Sequence, residues 1–97
     1  MPTVVIAPAL ARWLNPAPGI NVGEKSLAVS GGSVRDVLES VFREYPVLRG
    51  YVFDERGAMR HHVVAFLNGA AISDKTSLSD AVDPDGELYL FQALSGG

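Results

Sequence analysis

The sequence predicts an α+β layer structure in which one long helix covers one face of a small mixed sheet. Three observations predict it. Val34, Val37, Leu38, Val41, Phe42 and Tyr45 step by three and four, the spacing of a single helix face. Residues 26–30 alternate polar and apolar, with Leu27 and Val29 on one side, as a half-buried strand requires. Two apolar runs, 62–67 and 87–94, are rich in β-branched and aromatic side chains and border turn signals. With 97 residues the chain makes one small domain with one modest core.

Taken in order, Thr3, Val4, Val5, Ile6 and Ala7 read as a first strand that Pro8 ends. Residues 12–19 hold two prolines and a glycine and read as a loop carrying Trp13, a large aromatic expected to be mostly buried. After the second strand, Gly31 and Gly32 turn the chain. Ser33 then caps the helix, and Asp36 favours its positive end. Pro46 stops the helix after Tyr45.

Residues 46–57 lack a clean period and read as a short helical turn followed by a strand or loop, with a turn from Asp54 to Gly57. Asn68 and Gly69 then form a hairpin turn into a very short strand at Ala70, Ala71 and Ile72. Residues 77–82 have room for one helical or 3₁₀ turn, and Pro84, Asp85 and Gly86 lead into the last strand.

Five strands and one main helix in this order fit a β-grasp roll, with the first and last strands side by side. The expected core combines the helix stripe with Val4 or Val5, Leu27, Val29, Phe66, Leu88 and Leu90. If Leu88 and Leu90 face the core, Tyr89 and Phe91 face outward.

Composition excludes several functions. The chain has no cysteine, so disulfides, thiolate metal sites and cysteine nucleophiles are absent. Eight Lys and Arg against eleven Asp and Glu leave a net charge of -3, which argues against nucleic acid as the main partner. No apolar run reaches the length of a membrane span and no leader is visible, so the expected location is the cytoplasm.

Reactive clusters are sparse. His61 and His62, adjacent on a strand, would point to opposite faces and suit solvent better than a shared metal ion. Asp80, Asp83 and Asp85 lack the full spacing of a calcium loop. Gly31, Gly32 and Ser33 could hold an anion, although a turn and cap account for them. Arg49, Arg56 and Arg60 are either a basic patch or scattered surface charges. No metal ligand set and no bound cofactor are expected, and the chain does not read as an enzyme in its own right.

The C-terminus is the chemically distinctive part. Leu94, Ser95, Gly96 and Gly97 follow the last strand, giving a domain over 1–94 and a flexible tail over 95–97. Two glycines without Cβ atoms can thread a narrow channel and present a carboxylate. That carboxylate becomes electrophilic only when its oxygen is made a leaving group, for example as an acyl-adenylate formed with ATP.

The chain resembles the ubiquitin-like sulfur carriers of the MoaD/ThiS group over nearly its whole length. The likeness is carried by the Val4-Val5-Ile6 strand, the Ser33-Val34-Arg35-Asp36-Val37-Leu38 helix start, Val63-Val64-Ala65-Phe66-Leu67-Asn68-Gly69, and Asp85-Gly86-Glu87-Leu88-Tyr89-Leu90 leading to the Leu94-Ser95-Gly96-Gly97 tail. Residues 45–62 resemble the longer middle of carriers in cysteine or specialised thio-metabolite biosynthesis. Gln92 and Ala93 stand where the molybdopterin branch typically has proline.

The resemblance implies an E1-like adenylyltransferase that activates Gly97 with ATP. A sulfurtransferase, desulfurase or sulfide source would then convert it to a thiocarboxylate. It further implies a sulfur-accepting biosynthetic enzyme and a JAB1/MPN-type metalloprotease as partners, with cysteine or a thiocarboxylate or siderophore-type metabolite as the product. Tyr89, Phe91, Leu94 and Ser95 are the expected docking contacts, and Gly96 and Gly97 the reactive terminus. A ubiquitin-like modifier forming isopeptide bonds through Gly97, and a non-catalytic β-grasp interaction module, remain the alternatives.

Overall fold

A computed structural model describes residues 1–11 and 23–93. The Trp13 loop and the tail from Leu94 to Gly97 lie outside the described residues. The order of elements is β1 (Thr3–Ile6), α1 (Pro8–Ala11), β2 (Lys25–Ala28), α2 (Val34–Glu44), a 3₁₀ turn (Pro46–Leu48), α3 (Arg49–Val52), β3 (Val63–Leu67), β4 (Ala70–Ala71) and β5 (Glu87–Gln92).

The strands form one sheet in the order β2-β1-β5-β3-β4. The β1–β5 pair is parallel and the others are antiparallel. This is the mixed sheet of a β-grasp roll, with first and last strands adjacent as expected. The register aligns Val4 with both Leu27 and Leu88, and Ile6 with Leu90. Paired residues share a face, so these side chains meet Val34, Val37, Leu38, Val41 and Phe42 of α2 in one core. Val4, Ile6, Leu38, Leu88 and Leu90 are fully buried.

Phe66 departs from expectation. It pairs with Tyr89, which faces away from α2, and β3 sends Val63 and Ala65 into the core instead. All five residues of β3 are apolar, so alternation could not tell its two faces apart.

Helix α2 begins as the sequence predicts, with the Ser33 hydroxyl accepting from the Asp36 amide at 3.1 Å. The neighbouring amides find partners far along the chain. Val34 N donates to Asp80 O and Arg35 N to Leu78 O, each at 3.0 Å. Three first-turn amides are therefore occupied, which leaves the cap and not an anion site at Gly31-Gly32-Ser33. Gly31 is required here: at φ 149° a Cβ would fall 2.7 Å from the Val37 nitrogen.

Residues 77–82 of the loop that supplies these carbonyls form no helical or 3₁₀ segment, contrary to expectation; a hydrogen-bonded turn lies earlier, from Asp74 O to Leu78 N at 3.2 Å. Its residues serve the helix start instead: Ala81 bridges to Ser33, and Val82 N donates to Gly32 O at 3.0 Å. Leu78 adopts φ 55° while fully buried. The strain of a left-handed leucine is offset by burying its side chain. The sequence also gave no warning of α1, a single turn following Pro8.

The irregular middle becomes a 3₁₀ turn, α3 and a tight loop closed by the Phe53–Met59 bridge. Its arginines are mainly structural. Arg35 donates to the carbonyls of Gly57 (3.1 Å), Thr76 (2.9 Å) and Ser77 (3.3 Å), tying α2 to two loops. Its guanidinium also lies 5.5 Å from the Phe53 ring centre, and Arg49 lies 6.0 Å from the same ring while pairing with Glu39. Arg60 donates to Gly50 O at 3.0 Å. Arg49 and Arg60 are thus engaged within the domain and do not join Arg56 in a free basic patch.

Two stability predictions follow from this geometry. Replacing Arg35 with Ala should cost about 1–3 kcal/mol in urea unfolding, because three carbonyls and one aromatic face lose their partner together. Lysine should recover only part of this loss, since one ammonium cannot span the carbonyls as a planar guanidinium does.

The second concerns Asp74, whose carboxyl is held below its ordinary value by the Thr76 amide first and then by the Ser77 hydroxyl and amide. A carboxyl with a lowered native pKa stabilises above its unfolded value, near pH 4, and loses that contribution as pH falls through the native value. Asp74→Asn should therefore lower the urea midpoint at neutral pH, and the gap from wild type should narrow as pH falls through the lowered native value of Asp74.

Candidate functional site

The sheet face opposite α2 is built by the alternate residues of the same strands. Val5 aligns with Tyr89, Tyr89 with Phe66, and Phe91 with Val64. The Phe66 and Phe91 rings stack with centres 5.6 Å apart and planes 9° from parallel, and Tyr89 tilts against Phe91 at 5.7 Å. All three aromatics are half-buried, so part of each ring remains open. Thr3, Ser26, Ala28 and Ala71 extend this face, and Glu87, at the start of β5, is its one charge among the strand residues. A broad, nearly uncharged surface with aromatics at its centre has the make-up of a protein-binding face.

β5 carries this surface towards the tail. It is an inner strand, held by β1 on one side and β3 on the other. Ala7 N donates to Leu90 O at 2.9 Å, and Ala93 N donates to His62 O at 2.7 Å. The backbone is therefore fixed up to the last described residue. Of the expected docking residues, the structure places Tyr89 and Phe91 together on one face, while Leu94, Ser95, Gly96 and Gly97 lie outside the described residues. Sequence reasoning missed Phe66 and Val64, which complete the face. The signal lay in strand register, which a single sequence does not supply.

The other candidate groups are elsewhere. His61 and His62 lie in the turn before β3, with rings edge to face at 5.6 Å instead of on opposite faces, because the strand alternation starts only at Val63. Among the described residues no group of three His, Asp or Glu side chains could hold a metal ion. The Asp80 carboxylate accepts from the Ser73 amide and hydroxyl, so it closes a loop. A polar depression of about 370 Å³, lined by Ser30, Gly31, Asp36, Glu39, Ser40 and Arg43, lies on the helix side. Of its two serines, Ser40 donates its hydroxyl to Ser30 O at 2.8 Å and accepts from Arg43.

The two faces should respond differently to truncation. Leu90→Ala, in the core, should cost about 2–5 kcal/mol in urea unfolding. Phe91→Ala, one residue away on the outer face, should cost clearly less, and a loss equal to that of Leu90→Ala would show the aromatic face to be part of the core.

No family model matches the sequence, and a search of curated proteins gives no match. Solved structures do match. SAMP1 from Haloferax volcanii is 26% identical with a TM-score of 0.71, over 98% of this chain and 99% of that one. The small archaeal modifier protein 1 from Methanosarcina acetivorans is 26% identical with a TM-score of 0.67, over 100% and 98%. A BexX/CysO complex from Amycolatopsis orientalis contains a chain 18% identical with a TM-score of 0.73, over 97% and 99%, a likeness of fold. Among the described residues no helix is long and apolar enough to cross a membrane. The strand order, the long helix α2 over one face and the end-to-end likeness to these small proteins together give the chain the ubiquitin-like β-grasp fold.

Proposed function

We propose that the protein is a sulfur carrier that acts in the cytoplasm as a co-substrate of partner enzymes, with Gly97 as its reactive residue. The observation that carries this reading is the nearly uncharged aromatic face of Phe66 on β3 with Tyr89 and Phe91 on β5, the strand whose sequence continues to Leu94-Ser95-Gly96-Gly97. An enzyme that grips this face receives the tail in a fixed direction, because β5 is held on both sides up to Ala93. The BexX/CysO complex, in which a protein of this fold is bound to a partner, supports such docking.

In the proposed reaction an E1-like adenylyltransferase binds the tail with ATP. The Gly97 carboxylate attacks the α-phosphorus and pyrophosphate leaves, giving an acyl-adenylate. Sulfide then adds to the carbonyl carbon and AMP departs with the electron pair of the C–O bond; a persulfide from a sulfurtransferase or desulfurase gives instead an acyl disulfide, which a second thiol cleaves to the thiocarboxylate, leaving a disulfide. The resulting thiocarboxylate donates sulfur to a biosynthetic enzyme making cysteine or a thiocarboxylate or siderophore-type metabolite. The carrier supplies the docking face and an unobstructed carboxylate, while the partner supplies the charged groups that stabilise the transition state. A JAB1/MPN-type protease would act where the product must be released from the carrier.

The likeness to SAMP1, named as a modifier, favours a second reading in which the same adenylate leads to an isopeptide bond with a lysine. Intact mass of the untagged protein from its native host separates the two. A carrier shows sulfur in place of one oxygen at Gly97, whereas a modifier shows hydroxylamine-resistant conjugates of higher mass. Deleting Gly97 should abolish both products with the fold intact. Gly97→Ala should fold normally and be adenylated more slowly, and an unchanged rate would sink the argument that the channel requires glycine. Phe91→Ala and Phe66→Ala should raise the KM for the carrier in adenylation, with an unchanged KM removing the aromatic face from the docking reading.

A further inference from the structure

We propose that Asn68 is the chain's site of spontaneous deamidation, and that the hydrogen bond joining its side chain to β5 sets how fast it reacts. The chain has three asparagines, and each precedes a different residue: Asn15 precedes Pro16, Asn21 precedes Val22 and Asn68 precedes Gly69. Deamidation begins when the backbone nitrogen of the following residue attacks the asparagine Cγ. Proline has no N–H to give up, and a β-branched valine crowds its own nitrogen. Glycine leaves the approach open.

The hairpin places both reacting groups in water. Asn68 and Gly69 join β3 to β4, and both are exposed. Their φ angles of 50° and 87° are left-handed, as a two-residue hairpin turn demands. The Gly69 amide makes no hydrogen bond among the described residues, so its proton is open to base. Asn68 is tied on its other side. The Glu87 amide donates to Asn68 Oδ1 at 2.9 Å, and Asn68 N donates to Glu87 O at 2.8 Å. β5 and β4 flank β3 on opposite sides, so the carboxamide is held at β5 while Gly69 leads to β4. Ring closure requires the carboxamide to leave Glu87 first. One exposed hydrogen bond is a weak latch, and β4, with two exposed residues, adds little to it.

In the reaction a base takes the Gly69 N–H proton and the bond from Gly69 N to Asn68 Cγ forms. The Cγ–Nδ2 bond breaks, and the nitrogen takes up a proton and leaves as ammonia. Water then opens the succinimide at either carbonyl. One opening gives aspartate. The other gives isoaspartate, which adds a carbon to the main chain of a two-residue turn and draws in the carbonyl that the Glu87 amide uses.

The test incubates the full chain at mildly alkaline pH, folded in buffer and unfolded in urea, and follows Asn68 by peptide mapping. In both conditions an amino group should be exchanged for a hydroxyl at Asn68, with isoaspartate among the products. The folded chain should react about tenfold more slowly, the factor that one hydrogen bond supplies. Glu87→Pro deletes the amide donor, and proline is tolerated at the first residue of a strand. That variant, shown folded by thermal melting, should react in buffer at close to the unfolded rate. Equal rates for the folded and unfolded wild-type chain would remove the latch. An inert Asn68 in the folded chain would remove the site, and earlier conversion at Asn15 or Asn21 would reassign it. Each of these three results overturns the proposal, and the two wild-type arms decide it even if Glu87→Pro fails to fold.

Discussion

The parallel pairing of β1 with β5 is the constraint on which the rest of the molecule depends. Adjacent parallel strands cannot be joined by a tight turn. Everything between Ile6 and Glu87 must therefore leave the sheet centre, cross it and return. That crossover is what lays α2 over one face and brings β3 alongside β5. The two central strands also contribute Val4, Ile6, Leu88 and Leu90, which are fully buried, so the pairing and the core are specified together. Because β5 is an inner strand, its backbone is held on both sides.

A second set of interactions holds the helix to that frame. The segment from Ser73 to Val82 has little regular structure but supplies the carbonyls that the start of α2 needs. Arg35 reaches back from the helix to the same segment and to Gly57. Each donor at the helix start is thereby consumed inside the domain. The physical consequence is a division of labour: the helix side is closed by its own hydrogen bonds, and the aromatic face opposite is left for recognition. The placement of charge agrees, since Arg35, Arg49 and Arg60 all serve the helix side and the middle loops.

The proposed carrier role is consistent with this division. A carrier needs a stable body, a face that a partner can grip and a terminus that enters the partner's chemistry. The body and the face are visible in the sheet register and in the stacked Phe66 and Phe91 rings. In the proposed carrier the reactive terminus is a property of covalent sequence.

Much of this was determined by the sequence alone, because it depends on local periodicity and covalent chemistry. The stripe from Val34 to Phe42, the Ser33 cap, the Asn68-Gly69 turn and the outward Tyr89 and Phe91 each follow from neighbours a few residues away. The proposed role of the Leu94-Ser95-Gly96-Gly97 tail rests on covalent sequence in the same way. Tertiary structure decided what depends on register and on distant partners. It moved Phe66 from the core to the aromatic face, since an all-apolar strand does not announce which side is buried. It turned 77–82 from a candidate helical turn into the carbonyl donor for α2, with a left-handed Leu78, because a backbone group 40 or more residues away was the better partner.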